Sequence, residues 1–266
     1  MHNNVIDSIK WIDKKGEKTM DNEEGMNSIK QTAVIARDKL IQTSQRTAKI
    51  IGVFYILASA TTIIGLLLYQ PILGPDYLVK GAANANSVIM GAIFELILVV
   101  SAIGTAVGLF PFVRKYNEHI ALGYFSFRFL EAVLITIGIV SILALLNLSQ
   151  SFVAAVAPNI ASYQAVGTVL ISIHNWTFLL GPNLFLGINT VLYSYLLYIS
   201  RLVPRAIATL GLIGATLILI TAFLELSGII VQLSTLGSVL ALPVAAFEMI
   251  LAVWLIFKGF NPSAIR

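Results

Sequence analysis

Six side chains capable of proton or charge chemistry stand in stretches that are otherwise apolar: Glu95, Arg128, Glu131, His174, Asn175 and Glu248. A charge at the centre of a bilayer costs about 2.5 to 3.5 kcal/mol on insertion scales, so such groups need partners, water or a role. Arg128 and Glu131 are three residues apart, which places them on one face of a helix where they can pair, and Tyr124 continues that face. Counted at 1.5 Å per residue, Glu131 and Glu248 fall at similar depths and can share one polar layer, while Glu95 and His174 fall nearer the opposite surface. Together the six form a candidate intramembrane pocket, binding a proton or a small solute. The same residues also suit a fixed network that locks helices together. Glu225 lies near the end of its segment, where it is expected to reach water.

Those segments define the architecture. The 266 residues are 58% hydrophobic and 11% charged, against about 25% charged in soluble domains. Apolar runs near the roughly 20 residues that cross a hydrocarbon core cover residues 50–69, 88–113, 120–148, 166–200, 204–227 and 233–257. The fold class is all-α, a polytopic membrane protein with six transmembrane helices across residues 46–260. Residues 1–45 read as a polar, partly disordered or weakly helical cytosolic tail, and 261–266 as a short cytosolic C-terminal tail. The 166–200 stretch overshoots a single crossing, and Pro182 predicts one long helix bent there, since two short helices would leave backbone unpaired in lipid. On it, Thr168, Ser172, Asn175, Asn183 and Thr190 fall on one side at 100° per residue and predict a polar stripe facing protein.

Orientation follows from the cations. Fifteen Lys and Arg lie in the tails and in the loops after spans two and four, against Lys80 alone on the other side, with Arg128 inside a span. Positive charge is retained in the cytoplasm, so both termini are expected there, at the plasma membrane. The net charge of +4 is explained by this anchoring, and nucleic acid is not an expected partner; the lipid bilayer is.

Catalytic patterns are largely missing. There is no His-Glu-x-x-His run, no Gly-x-Ser-x-Gly elbow and no phosphate loop. With no cysteine and three histidines, no metal or cofactor site is expected. Gly104-Thr-Ala-Val-Gly108 reads as a close helix contact. Phe94-Glu-Leu-Ile-Leu-Val-Val echoes Phe247-Glu-Met-Ile-Leu-Ala-Val, hinting at a duplicated hairpin. Three functions remain open: proton-linked or small-solute binding and transport, a non-catalytic sensor, immunity or assembly factor, and an intramembrane enzyme using a glutamate with His174 on a lipid.

Several separated motifs occur in order: Arg46-Thr-Ala-Lys-Ile-Ile-Gly-Val-Phe-Tyr, Phe94-Glu, Phe127-Arg-Phe-Leu-Glu131, His174-Asn-Trp-Thr-Phe, Leu202-Val-Pro-Arg-Ala and Phe247-Glu-Met. In these the chain resembles the bacterial domain-of-unknown-function 4386 family. The resemblance covers about residues 46–260 and implies a multi-helix membrane protein with no assigned activity, so it carries no catalytic role to any residue.

Overall fold

The structure is a computed structural model and describes residues 23–265. Helix α1 spans Glu23–Leu68, α2 Gln70–Leu73, α3 Tyr77–Ala83, α4 Ala85–Val113 and α5 Glu118–Ala154. Helix α6, Ile160–Phe178, continues through a wide turn, Leu179–Phe185, into α7, Leu186–Ser200. Helices α8, Arg205–Leu226, and α9, Thr235–Phe257, precede a last single turn, Pro262–Ala264. No strand occurs among the described residues, and six segments are long and apolar enough to cross a membrane. The chain is an all-α, six-span membrane bundle.

Local chemistry sets the boundaries. The side chains of Asn117, Asn159 and Ser234 accept from the amides of Ile120, Ser162 and Gly237 and so start α5, α6 and α9. Pro71 sits in the first turn of α2, where its missing N–H is harmless. Helix α1 begins at Glu23, far ahead of the expected membrane entry, so the chain from there to Leu68 is one helix of 46 residues. The expectation for the tail before Glu23 lies outside the described residues.

The spans form a ring in chain order. Each packs against the next, and α9 closes the circle on α1. Glycines permit the tightest approaches: a Cβ on Gly104 would lie 2.7 Å from the Phe54 ring and one on Gly108 2.6 Å from Ile51, so this run is the close contact between α1 and α4. On α8, a Cβ on Gly214 would meet the Val244 backbone of α9 at 2.6 Å.

Helices α8 and α9, with 22 and 23 residues, match a hydrocarbon core of about 30 Å. Helix α5 and the α6–α7 segment overshoot it, and α3 packs as a cap against α5 and α6. Ser149 ties this cap down, accepting from the Ala82 amide at 2.7 Å and donating to the Leu78 carbonyl at 2.9 Å.

At the opposite end, where α1 enters, the residues after α9 do not trail away. Gly259, at φ +71, turns the chain back across the bundle. Phe260 is buried against Phe112 with ring centroids 4.7 Å apart, and the Asn261 amide donates to the Leu202 carbonyl at 2.8 Å.

The fourth span is continuous through Pro182, running from Ile160 to Ser200 without a break. Pro182 lacks a donor and would collide with the carbonyl four residues earlier. The backbone answers by widening: the Leu186 amide reaches back to the Gly181 carbonyl, five residues away. The wide turn inserts the equivalent of one residue, rotating everything beyond it by about 100°.

Candidate functional site

Arg128, on the ring-facing side of α5, lies on the axis of the bundle. Its Nη1 donates to both oxygens of Glu131, at 3.2 and 3.1 Å, and its Nε donates to the Ala102 carbonyl of α4 at 3.4 Å. Its Nη2 stands 4.0 Å from Glu248 Oε1 of α9. From α7, Asn189 Nδ2 donates to Glu131 Oε2 at 2.6 Å and to the Phe185 carbonyl at 2.8 Å. Four spans thus meet at the Arg128–Glu131 pair. Side-chain exposure is 4% for Arg128, 5% for Glu131 and 14% for Glu248, so water screens none of these charges effectively.

The charges do not balance. One guanidinium faces two carboxylates, and Glu248 Oε1 accepts no hydrogen bond among the described residues. Glu131 is held by three hydrogen bonds, whereas among the described residues Glu248 has the longer 4.0 Å approach of Arg128.

Toward the end where α1 enters, aromatic rings fill the axis. Tyr193 stacks on Phe247 at 5.6 Å and lies 5.2 Å from Tyr124 and 6.3 Å from Tyr55, all four being at most 1% exposed. Gly211 makes room, since a Cβ there would stand 2.6 Å from the Phe247 ring. These rings close that side of the charged layer.

Toward the other side lies a second polar group. His174 of α6 is buried against Gly138 of α5, its ring edge-on to Tyr69 at 6.0 Å, and its Nδ1 makes no hydrogen bond among the described residues. Glu95, half-buried, borders the same cavity of about 20 Å³ together with Thr62, Thr177 and Pro182. That volume admits about one water molecule. Gly138 is seven residues beyond Glu131 on α5, which separates the two groups by about 10 Å along the axis.

The candidate residues therefore divide. Arg128, Glu131 and Glu248 converge; Glu95 and His174 meet each other in a separate cavity; Asn175 joins neither. Its side chain is exposed outside the bundle, and only its carbonyl is used, accepting from Gln232 at 3.3 Å. The amide that does reach the charges is Asn189.

The stripe prediction fails for the same reason. Thr168 and Ser172 are exposed, their hydroxyls satisfied by the carbonyls four residues earlier, while Thr190 is buried and Asn183 faces α8. Constant rotation through Leu179–Phe185 does not hold, because the wide turn swings the two halves of the span apart. Glu225 is likewise buried, accepting from Asn183 Nδ2 at 2.7 Å, where boundary placement had suggested water. The two echoing glutamates also differ in depth: Glu95 stands 18 residues from the end of α4 and Glu248 nine from the end of α9.

Comparison with known proteins adds a single finding. The model of the family described as "Domain of unknown function (DUF4386)" matches residues 50–259. The chain belongs to the DUF4386 family. Neither the curated proteins nor the solved structures yield a match. The DUF4386 match takes in all six residues of the candidate pocket, together with Asn189 and the tyrosines that close the axis below it.

Proposed function

We propose that this DUF4386 protein is a proton-linked membrane protein of the plasma membrane, with both termini in the cytoplasm. One observation carries the reading: a single buried guanidinium faces two carboxylates on different helices, Glu131 on α5 and Glu248 on α9. In a medium of low dielectric this arrangement is one positive charge short, and a proton neutralises the excess. Proton arrival and departure at Glu248 then make and break the link between α5 and α9, which is a bias between two packings of the ring. The Glu95–His174 cavity supports the reading by offering polar groups, with room for about one water, between the charged layer and the far surface, while tyrosines close the cytoplasmic side. Any co-substrate that enters by this cavity is small.

The test is proton movement in proteoliposomes carrying an internal pH-sensitive dye. An imposed pH gradient is expected to dissipate faster with the wild-type chain than in empty vesicles, and Glu248→Gln is expected to abolish the difference. Equal rates for wild type and Glu248→Gln would remove the proposal.

A second reading has its own support. Arg128 bonds the Ala102 carbonyl as well as Glu131, stitching α4 to α5, and this suits a non-catalytic assembly or sensor protein whose charges hold the bundle. It predicts that neutral substitutions unfold the chain in detergent with no proton-flux phenotype in those that remain folded. The lipid-enzyme reading draws no support from the geometry, because a cavity of about 20 Å³ beside Glu95 and His174 holds no lipid group.

A further inference from the structure

A cavity of about 540 Å³ opens at the end of the bundle where α7, α8 and α9 meet, well away from the axial charges. Arg201, Arg205 and Lys258 line it, with Trp254, Pro204 and Phe260, and no acidic residue does. None of the three cations is ion-paired among the described residues. Its size falls within the range of small-ligand sites.

The cavity is built rather than incidental. Arg205 lies over the Tyr198 ring at 4.9 Å. The Arg201 backbone is held in the left-handed region, φ +55, with its N–H donating to the Leu197 carbonyl at 3.1 Å. The wall after Lys258 is pinned by Asn261 on Leu202 and by Gln45 Nε2 on the Phe260 carbonyl at 2.6 Å. The N-terminus of the 22-residue helix α8 opens here on Pro204 with no side-chain cap, adding the positive end of a helix dipole. The half-buried ring of Trp254 supplies part of the apolar wall.

Three cations and a helix N-terminus converge on one concave site. We propose that it binds a phosphate group, presented by the headgroup of an anionic phospholipid. The position decides for lipid: the cavity sits at the ends of three spans, beside Trp254 and Tyr198, at the level where aromatic side chains meet headgroups. Anionic lipids of the cytoplasmic leaflet attract cations there, each worth about a fivefold change in affinity. The site is independent of the proton-linked reading and uses none of its residues.

Thermal unfolding of the purified full chain in neutral detergent tests it, with phosphatidylglycerol, phosphatidylcholine or inorganic phosphate added. Phosphatidylglycerol is expected to raise the unfolding temperature saturably and phosphatidylcholine is not. In Arg205→Gln with Lys258→Gln, half-saturation is expected at about 25-fold higher lipid. A control pair of the same charge change on α1, Lys39→Gln with Lys49→Gln, is expected to behave as wild type. A saturable shift with inorganic phosphate alone, lost in the same groove variant, would support the phosphate site and name the free anion as its ligand. Absence of any shift with phosphatidylglycerol or phosphate overturns the proposal, as does equal loss in the control pair. Arg201→Gln removes one cation and is expected to weaken binding about fivefold. Should the groove pair fail to fold, unchanged half-saturation in Arg201→Gln overturns the proposal.

Discussion

Asn189 Nδ2 donates to Glu131 Oε2 at 2.6 Å across 58 residues of sequence, joining the fourth span to the charged face of the third. The same nitrogen also donates to the Phe185 carbonyl, on the last residue of the wide turn, so one side chain anchors both the carboxylate and the turn that aims it.

Replacing Asn189 by Leu removes a donor from a buried carboxylate and is expected to destabilise the chain by about 1 to 3 kcal/mol. Asn175→Leu, at an exposed position on the same span, is expected to stay within about 0.5 kcal/mol of wild type. Chemical denaturation of the two variants in matched micelles checks the pair. Equal effects would show that Asn189 does not support Glu131.

The Arg128–Glu131 pair makes a sharper case. Glu131→Leu removes the hydrogen-bonded partner of a buried guanidinium, leaves it only Glu248 at 4.0 Å, and is expected to cost about 3 to 5 kcal/mol, because that longer contact offsets less of the desolvation of the cation. Adding Arg128→Met to that variant removes the poorly paired cation, leaves Glu248 to take up a proton, and is expected to restore part of the loss. A double-mutant cycle on unfolding free energies measures the coupling, and additive losses would contradict the pairing.

Much of this was legible in the sequence, and the failures share a cause. Six apolar runs, the pairing of Arg128 with Glu131 and the close contact at Gly104 and Gly108 follow from hydropathy and helical spacing, both of which act locally. Glu248 was placed at the right depth because straight helices convert residue counts into distance. A constant 100° per residue carried through Pro182 puts Thr168 to Thr190 on one face and includes Asn175, and it gives no sign of Asn189. The proline signalled a bend; the accompanying rotation depends on a backbone hydrogen bond from Leu186 to Gly181 that no residue type announces. The turn of the C-terminal segment back over the bundle is set by Phe260 reaching Phe112, a tertiary contact equally silent in sequence.

Close helix approach gives a packing prediction. A methyl group at Gly214 would meet Val244 backbone atoms at 2.6 and 2.7 Å, and backbone cannot rotate away, so Gly214→Ala must push α8 and α9 apart. The expected loss is about 1 to 3 kcal/mol. At Gly123 the nearest atom to an added Cβ is a Leu192 methyl at 3.4 Å, ordinary contact, and Gly123→Ala is expected to be neutral or mildly stabilising through its higher helix propensity. Thermal unfolding that ranked Gly123→Ala as the more damaging of the two would refute this packing.

Orientation is open to a direct chemical measurement, because the chain has no cysteine and single cysteines therefore report cleanly. Lys80 stands in α3 at one end of the ring, exposed and paired with Asp76 at 3.5 Å, while Lys258 stands at the other end, also exposed. If the side carrying fifteen of the cations is cytoplasmic, Lys80→Cys is expected to react with a membrane-impermeant maleimide in intact cells. Lys258→Cys is expected to react only after the membrane is opened. Neither substitution disturbs the buried charges, so labelling reads topology without the confounding loss of fold that changes at Arg128 or Glu131 bring. The reverse labelling pattern would invert the proposed orientation and would place the tyrosine-closed end of the axis, together with the basic groove, on the outer surface.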